Sequence, residues 1–145
     1  MVDLARRIDA EKENVNRALD NLKDAMKRKN RSTIEVAAIA TFIHNIYNGI
    51  ENILKQILKA KKTEIPKSET SHKDLLDLSV SIGILPENLA DRLYEYLTFR
   101  HFFVHAYGFM LQETHLEDLA KNIPDVWSQF LSAIQDYCQS SDQMH

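Results

Sequence analysis

Turn-forming residues are scarce in this sequence, which has three glycines and three prolines among its 145 residues. A multi-stranded sheet needs many tight turns, and such turns draw heavily on glycine and proline. With 44% hydrophobic residues the chain can still bury a core of its own. We therefore predict an all-α fold, with a single domain over residues 1–138 and a polar C-terminal tail over residues 139–145.

Five helices are predicted, and in the first two the apolar residues recur at the spacings of one helix face. Capping boxes that begin at Ser32 and Thr114 predict the starts of the second and the fifth helix, and Ser71 is expected to cap the third. Short connections between such helices favour an up-and-down bundle of four to five helices. The predicted helices cover residues 3–29, 32–59, 71–83, 87–107 and 114–138.

The sequence also constrains where the protein works. No stretch approaches the roughly 20 uncharged apolar residues that a membrane-spanning helix needs, and residues 1–9 lack the apolar core of a signal peptide. The single cysteine, Cys138, cannot form an internal disulfide and indicates no metal site. We expect a cytoplasmic protein that makes no contact with a membrane.

The formal net charge of −3 conceals an uneven distribution. Residues 1–73 contain 15 lysines and arginines against 10 acidic residues, whereas residues 74–145 contain 3 against 11. This distribution allows a basic surface for an anion but does not require one.

A group of polar residues interrupts the apolar end of the predicted fourth helix. Arginine and histidine are rarely placed in such a segment without a partner or a function, because burying them is costly. Arg100 and Tyr107, seven residues apart, share one helix face, and His101 and His105, four apart, stack on a neighbouring stripe. We take these four residues as the candidate site; their apolar neighbours are Phe99, Phe102, Phe103 and Val104.

Several chemistries could use this cluster. Two histidines four residues apart can bind zinc, but the further ligands would have to be His44, His72 or His115, and no metalloprotease glutamate follows His101. Cleavage of RNA without a metal fits better, because histidine can move protons near neutral pH and a guanidinium can stabilise a phosphate as charge builds on it. We expect no metal and no cofactor.

A purely structural interpretation stands beside the functional one. The arginine and the histidines could simply pair with carboxylates such as Glu51 or Glu95, and Tyr107 could be an amphipathic residue at the edge of the core. The residue types and spacings alone leave both interpretations open.

The string at residues 100–107 reads R-x4-H-x-Y and resembles the signature of the HEPN superfamily. More specifically, it is similar to the HepT toxins, the HEPN partners of MNT-type minimal nucleotidyltransferases in prokaryotic toxin–antitoxin modules. The resemblance covers nearly the whole chain. It includes the run Tyr-Asn-Gly-Ile-Glu at residues 47–51 and the run Ser-His-Lys-Asp-Leu-Leu at residues 71–76.

The resemblance implies a metal-independent endoribonuclease whose site forms where the motif helices of a homodimer meet. Arg100 would then stabilise the scissile phosphate of a messenger or transfer RNA, and His105 would act as general base or acid, leaving a 2′,3′-cyclic phosphate. His101 follows the arginine and is a second candidate for proton transfer; the position of His105 in the motif favours His105, with His101 in support. Tyr107 resembles the tyrosine that the cognate MNT nucleotidyltransferase antitoxin modifies with AMP, which silences the toxin.

Three further polar residues each have two interpretations. Glu51, among isoleucines of the second helix, is expected to support the site by an ion pair that orients Arg100, although a solvated edge position is the alternative. His72 and Lys73 lie at a predicted helix N-terminus that could receive phosphate, but a plain capping role is the simpler expectation.

A different class of function fits the same residues. The chain could be a non-catalytic HEPN subunit that binds a nucleotide or serves as a scaffold in a nucleotidyltransferase complex. In either case Phe102, Phe103 and Val104 are expected to form an apolar surface that a second copy of the chain would bury.

Overall fold

The fold is known from a computed structural model, which describes residues 2–65, 67, 70–105 and 113–143. These residues form five α-helices and no β-strand, as the sequence predicts. The helices are α1 (Val2–Met26), α2 (Thr33–Ala60), α3 (Ser71–Ser81), α4 (Glu87–Val104) and α5 (Glu113–Gln143).

The capping box at Ser32 is confirmed. The Ser32 hydroxyl accepts a hydrogen bond from the Glu35 backbone N–H at 3.2 Å, and the Glu35 carboxylate accepts one from the Ser32 N–H at 3.0 Å. These two contacts satisfy N–H groups that have no partner within the helix, so α2 begins where the pattern predicts.

The other two predicted starts are displaced. Ser71, the expected cap of α3, is its first helical residue, and Thr70 occupies the N-cap position without a side-chain capping hydrogen bond. Helix α5 begins at Glu113, so that Thr114 lies inside the helix, and the Glu117 carboxylate accepts a hydrogen bond from Arg31 at 2.7 Å. Helix α3 therefore begins one residue, and α5 two residues, earlier than caps at Ser71 and Thr114 would place them.

The predicted ends also shift. Helix α1 ends at Met26, and Asn30 in the following connection has a φ of 53°. Helix α3 ends at Ser81, followed by Gly83, whose φ of 88° is a conformation that suits glycine. Helix α5 continues through Pro124 to Gln143, five residues beyond its predicted end at Cys138.

Helix α2 is the central element of the bundle. It packs against α1, α3, α4 and α5, and twelve of its residues are buried. Its contact with α1 is the most extensive in the molecule, and Gly49 faces Val15 there at very close range. The opposite side of α2 faces α3 and α4 and carries the polar residues described below. No helix in the described part of the chain is both long enough and apolar enough to cross a membrane.

Candidate functional site

Three of the four candidate residues lie at the carboxyl end of α4. Arg100 is half-buried, while His101 and His105 are exposed. The two imidazole rings lie with their centroids 4.6 Å apart, which confirms the predicted stacking along one stripe. His105 caps the helix, and its backbone N–H donates to the His101 carbonyl at 3.2 Å. The fourth candidate, Tyr107, lies outside the described residues.

An apolar surface surrounds this helix end. Phe103 is half-buried, with its ring centroid 5.7 Å from Phe99 and 4.9 Å from His44 on α2. Phe102 and Val104 are 44% and 48% exposed. Of the predicted apolar surface, two residues are therefore exposed and the third packs inward.

Helix α2 presents four polar residues to this region, at positions i, i+3, i+4 and i+7. Such positions share one helix face. They interrupt a stretch that is otherwise rich in buried isoleucine and leucine. We call this set the α2 polar stripe; it consists of His44, Tyr47, Asn48 and Glu51.

Asn48 is the residue of the stripe that contacts Arg100. The Arg100 Nε donates to Asn48 Oδ1 at 3.5 Å, and the Asn48 amide nitrogen lies 3.0 Å from Nε2 of His44. Burial, and then the nearby charge of Arg100, lowers the pKa of His44 below its ordinary value. A neutral His44 can accept from the Asn48 amide, and this leaves the amide oxygen to accept from the guanidinium.

The expected ion pair between Glu51 and Arg100 is wrong. Glu51 is 2% exposed, and its Oε1 lies 2.7 Å from Nδ1 of His72, at the start of α3. The Glu51 carboxylate thus contacts a side chain of α3 and not, as predicted, one of α4. His72 does not cap α3, because its side chain reaches back to α2, and Lys73 pairs instead with Asp77 at 3.9 Å.

Tyr47 completes the buried part of the stripe. It is fully buried, and burial together with the negative charge of Glu51 raises its pKa well above the ordinary value. Neither the Tyr47 hydroxyl nor Oε2 of Glu51 makes a hydrogen bond of ordinary geometry within the described residues. The two groups are nevertheless close, since a side-chain contact with Glu51 contributes to the raised pKa of Tyr47. Tyr47 and Glu51 are therefore coupled at this buried junction.

Metal ligands are not grouped in the part of the chain that the structure describes. No set of three or more histidine, cysteine, aspartate or glutamate side chains there is arranged to hold an ion. What the site does offer is a half-buried guanidinium in contact with Asn48 and two exposed imidazoles at the end of α4. A third imidazole, on α3, contacts the buried Glu51 carboxylate of α2.

A comparison with models of known protein families shows the family of this chain. The family model for HepT-like proteins matches residues 38–141, which include α3, α4 and most of α2 and α5. The chain belongs to the HepT-like family. The match therefore spans the α2 polar stripe and the candidate residues of α4 together.

A solved structure shares the HepT-like fold of this chain. It is described as a cytosolic protein of unknown function, YutE, from Bacillus subtilis, and it superimposes with a TM-score of 0.66 at 17% sequence identity. The similarity covers 90% of this chain and 92% of that one. At this identity the likeness concerns the fold alone. No curated protein matches the sequence at a significant level.

Three further contributors to this HepT-like site could be named from the sequence, but their contacts were not predicted. Asn48 and His44 orient Arg100, and His72 takes the carboxylate that was assigned to the arginine. A signal for the first two was present, because four polar residues with a shared helical face interrupt an apolar helix. His72 was considered only as a metal ligand or at a helix N-terminus, because nothing in the sequence relates it to a partner 21 positions away.

Proposed function

We propose that this HepT-like protein is a metal-independent endoribonuclease, the toxin of a toxin–antitoxin module whose antitoxin is a cognate MNT nucleotidyltransferase. One observation carries the proposal. The half-buried Arg100 is held by the Asn48 amide, on the same helix end where the imidazoles of His101 and His105 lie exposed and in contact. A fixed cation beside accessible proton-transfer groups suits attack on a phosphodiester.

The reaction needs no bound metal in this scheme. As the 2′-oxygen of a ribose bonds to the adjacent phosphorus, its proton passes to a basic group, and as the bond to the 5′-oxygen breaks, that oxygen receives a proton. Arg100 stabilises the negative charge that builds on the phosphoryl oxygens, and His105 transfers one of the two protons. His101 supports His105 by ring contact. The products are a 2′,3′-cyclic phosphate and a 5′-hydroxyl.

The proposed site is shared by two copies of the chain. Phe102 and Val104 are exposed next to His101 and His105, and a second copy would remove this apolar surface from water. A twofold contact there would place two Arg100–His105 sets against one RNA strand. A protein that is strictly monomeric at the concentrations of the cleavage assay would contradict this part of the proposal.

Silencing by AMPylation is assigned to Tyr107 on the strength of the R-x4-H-x-Y motif. An attached adenylate would add negative charge beside a site that must receive RNA phosphates, and its bulk would fill the same space. After co-expression with the cognate nucleotidyltransferase, mass spectrometry should find the added AMP on Tyr107. Tyr107→Phe should carry none and should still arrest growth in the presence of the antitoxin; modification at another residue would contradict the assignment.

Cleavage of RNA by the partner-free protein, in the presence of EDTA, tests the activity itself. Arg100→Ala and His105→Ala should each slow cleavage by about 100-fold or more, the range found when one electrostatic or acid–base group is removed. Matched controls are Arg92→Ala and His115→Ala, which alter an arginine and a histidine outside the site. A folded, dimeric wild-type protein that leaves RNA intact would contradict the proposal and favour the non-catalytic scaffold.

A further inference from the structure

We infer that His72 is the second proton-transfer residue of the ribonuclease site and that the buried Glu51 positions it. The inference rests on the proposed function, because it assigns a role within that reaction. Cleavage by the route above moves two protons, one from the attacking 2′-oxygen and one to the leaving 5′-oxygen, and a second imidazole lets different residues handle the two.

The contact between Glu51 and His72 has the geometry of an oriented acid–base group. The carboxylate is only 2% exposed and lies 2.7 Å from Nδ1 of the imidazole, whose side chain is 31% exposed. A carboxylate at Nδ1 fixes the ring and its tautomer and leaves Nε2 facing away from the partner. An imidazole with one nitrogen held and one nitrogen accessible is suited to exchange a proton with a bound substrate.

The α2 polar stripe connects this pair to Arg100. Asn48, which binds the guanidinium, and Glu51, which binds His72, are three residues apart, and side chains at that spacing lie about 5–6 Å apart at their Cβ atoms. The charges of Arg100 and Glu51 also act on the same two side chains, since each shifts the pKa of His44 and of Tyr47. Arg100 and His72 are thus held by neighbouring positions of one face of α2.

Within the described residues, three helices contribute charged and titratable groups around the Glu51–His72 pair. Helix α2 contributes Glu51 and the buried Tyr47, and α4 contributes Arg100, whose charge reaches Tyr47. On α3 itself, Lys73 pairs with Asp77, and Asp74 accepts a hydrogen bond from the hydroxyl of the preceding cap residue.

A tether between α2 and α3 is the competing interpretation of the same contact. An exposed pair would serve as a tether at a lower cost, since a buried carboxylate loses its hydration and must recover that energy from its partner. The buried Tyr47 hydroxyl beside Glu51 makes no hydrogen bond of ordinary geometry within the described residues, and this adds to the cost. Groups retained at such a cost are characteristic of functional sites.

Two substitutions separate the interpretations. His72→Asn keeps an N–H near the position of Nδ1, which can still donate to Glu51, but has no counterpart of Nε2. We expect its free energy of unfolding in urea to stay close to that of the wild type, while RNA cleavage falls by about 100-fold and the pH–rate profile loses one of its two limbs. Should the single variant be unstable, Glu51→Gln combined with His72→Asn removes the buried charge and pairs two neutral amides, with the same expected loss of cleavage.

The controls keep the inference distinct from the proposed function. If His72→Asn, or the double variant, cleaves RNA at the wild-type rate with both limbs of the pH profile intact, His72 is a tether and the inference is overturned, while the function stands. If the wild type does not cleave RNA, or Arg100→Ala cleaves it equally well, the proposed function fails, and the inference fails with it.

Discussion

The close approach of α1 to α2 gives a prediction that can be worked out from distances. A Cβ atom added at Gly49 would lie 2.2 Å from Cγ2 of Val15 and 3.7 Å from its Cβ. Carbon atoms in ordinary contact are about 3.5–4.0 Å apart, so Gly49→Ala needs a displacement of more than about 1 Å. Val15 is 1% exposed and branched at Cβ, and a branched side chain in a helix has essentially one rotamer available. Helices α1 and α2 must therefore move apart.

Two opposing contributions set the size of the effect. Alanine is favoured over glycine inside a helix by about 1 kcal/mol. Overpacking of a buried contact costs about 1–3 kcal/mol, and the short distance with a stiff partner places this site near the upper end. We expect Gly49→Ala to lower the free energy of unfolding by about 1–2 kcal/mol, although helix propensity alone predicts a gain.

Urea denaturation followed by circular dichroism measures this difference, and a double-mutant cycle with Val15→Ala assigns it. Val15→Ala alone should cost about 2 kcal/mol through the loss of buried methyl groups. The double variant should be more stable than additivity predicts by about 1–2 kcal/mol, because the added methyl occupies the vacated space. Asn45→Ala, at an exposed position of α2, is the control for propensity. A Gly49→Ala protein that is more stable than wild type, with additive effects, would refute the reasoning.

Three further outcomes follow from the contacts of individual residues. Asn48→Ala should reduce RNA cleavage by about 10- to 100-fold, mainly through kcat, because it removes the hydrogen bond to the guanidinium of Arg100. Unchanged kcat and KM would mean that the Asn48 amide does not orient Arg100. Arg31→Ala should lower Tm more than Arg28→Ala, because the Arg31 side chain is 8% exposed and the Arg28 side chain 67% exposed. Equal losses of Tm would mean that burial does not strengthen the ion pair of Arg31 with Glu117. His44→Gln should gain stability relative to the wild type as the pH falls below about 6.5. The pKa of His44 is lowered in the folded state, so the unfolded wild-type chain binds the proton first and the wild type is destabilised. A constant difference in Tm between pH 7.5 and 5.5 would contradict this.

Local patterns predicted the helices well and their exact starts less well. The boxes at Ser32 and Thr114 are equivalent in sequence, yet α2 begins directly after Ser32, whereas α5 begins at Glu113, before Thr114. At the second, the carboxylate of Glu117 is taken by Arg31, 86 positions away. A capping pattern reports local preferences, and a tertiary contact with a buried guanidinium outweighs them.

In the candidate site too, contacts within one helix could be predicted from the sequence, whereas contacts between helices could not. The spacing of His101 and His105 was sufficient to predict their ring contact, because both lie on one helix. The partner of Arg100 was mispredicted as Glu51, although Asn48 and Glu51 share a face of α2. Which of two positions one turn apart meets a neighbouring helix depends on how the helices are rotated and offset, and hydrophobic periodicity does not specify either quantity.

The identity of the RNA ends produced by the purified, partner-free protein in EDTA tests the central claim most directly. Mass spectrometry of a single cleaved oligoribonucleotide should find a 2′,3′-cyclic phosphate and a 5′-hydroxyl, and a DNA strand of the same sequence should remain uncut. Ends that carry a 3′-hydroxyl and a 5′-phosphate, or cleavage that EDTA abolishes, would contradict attack by the 2′-hydroxyl at a site built from Arg100 and His105.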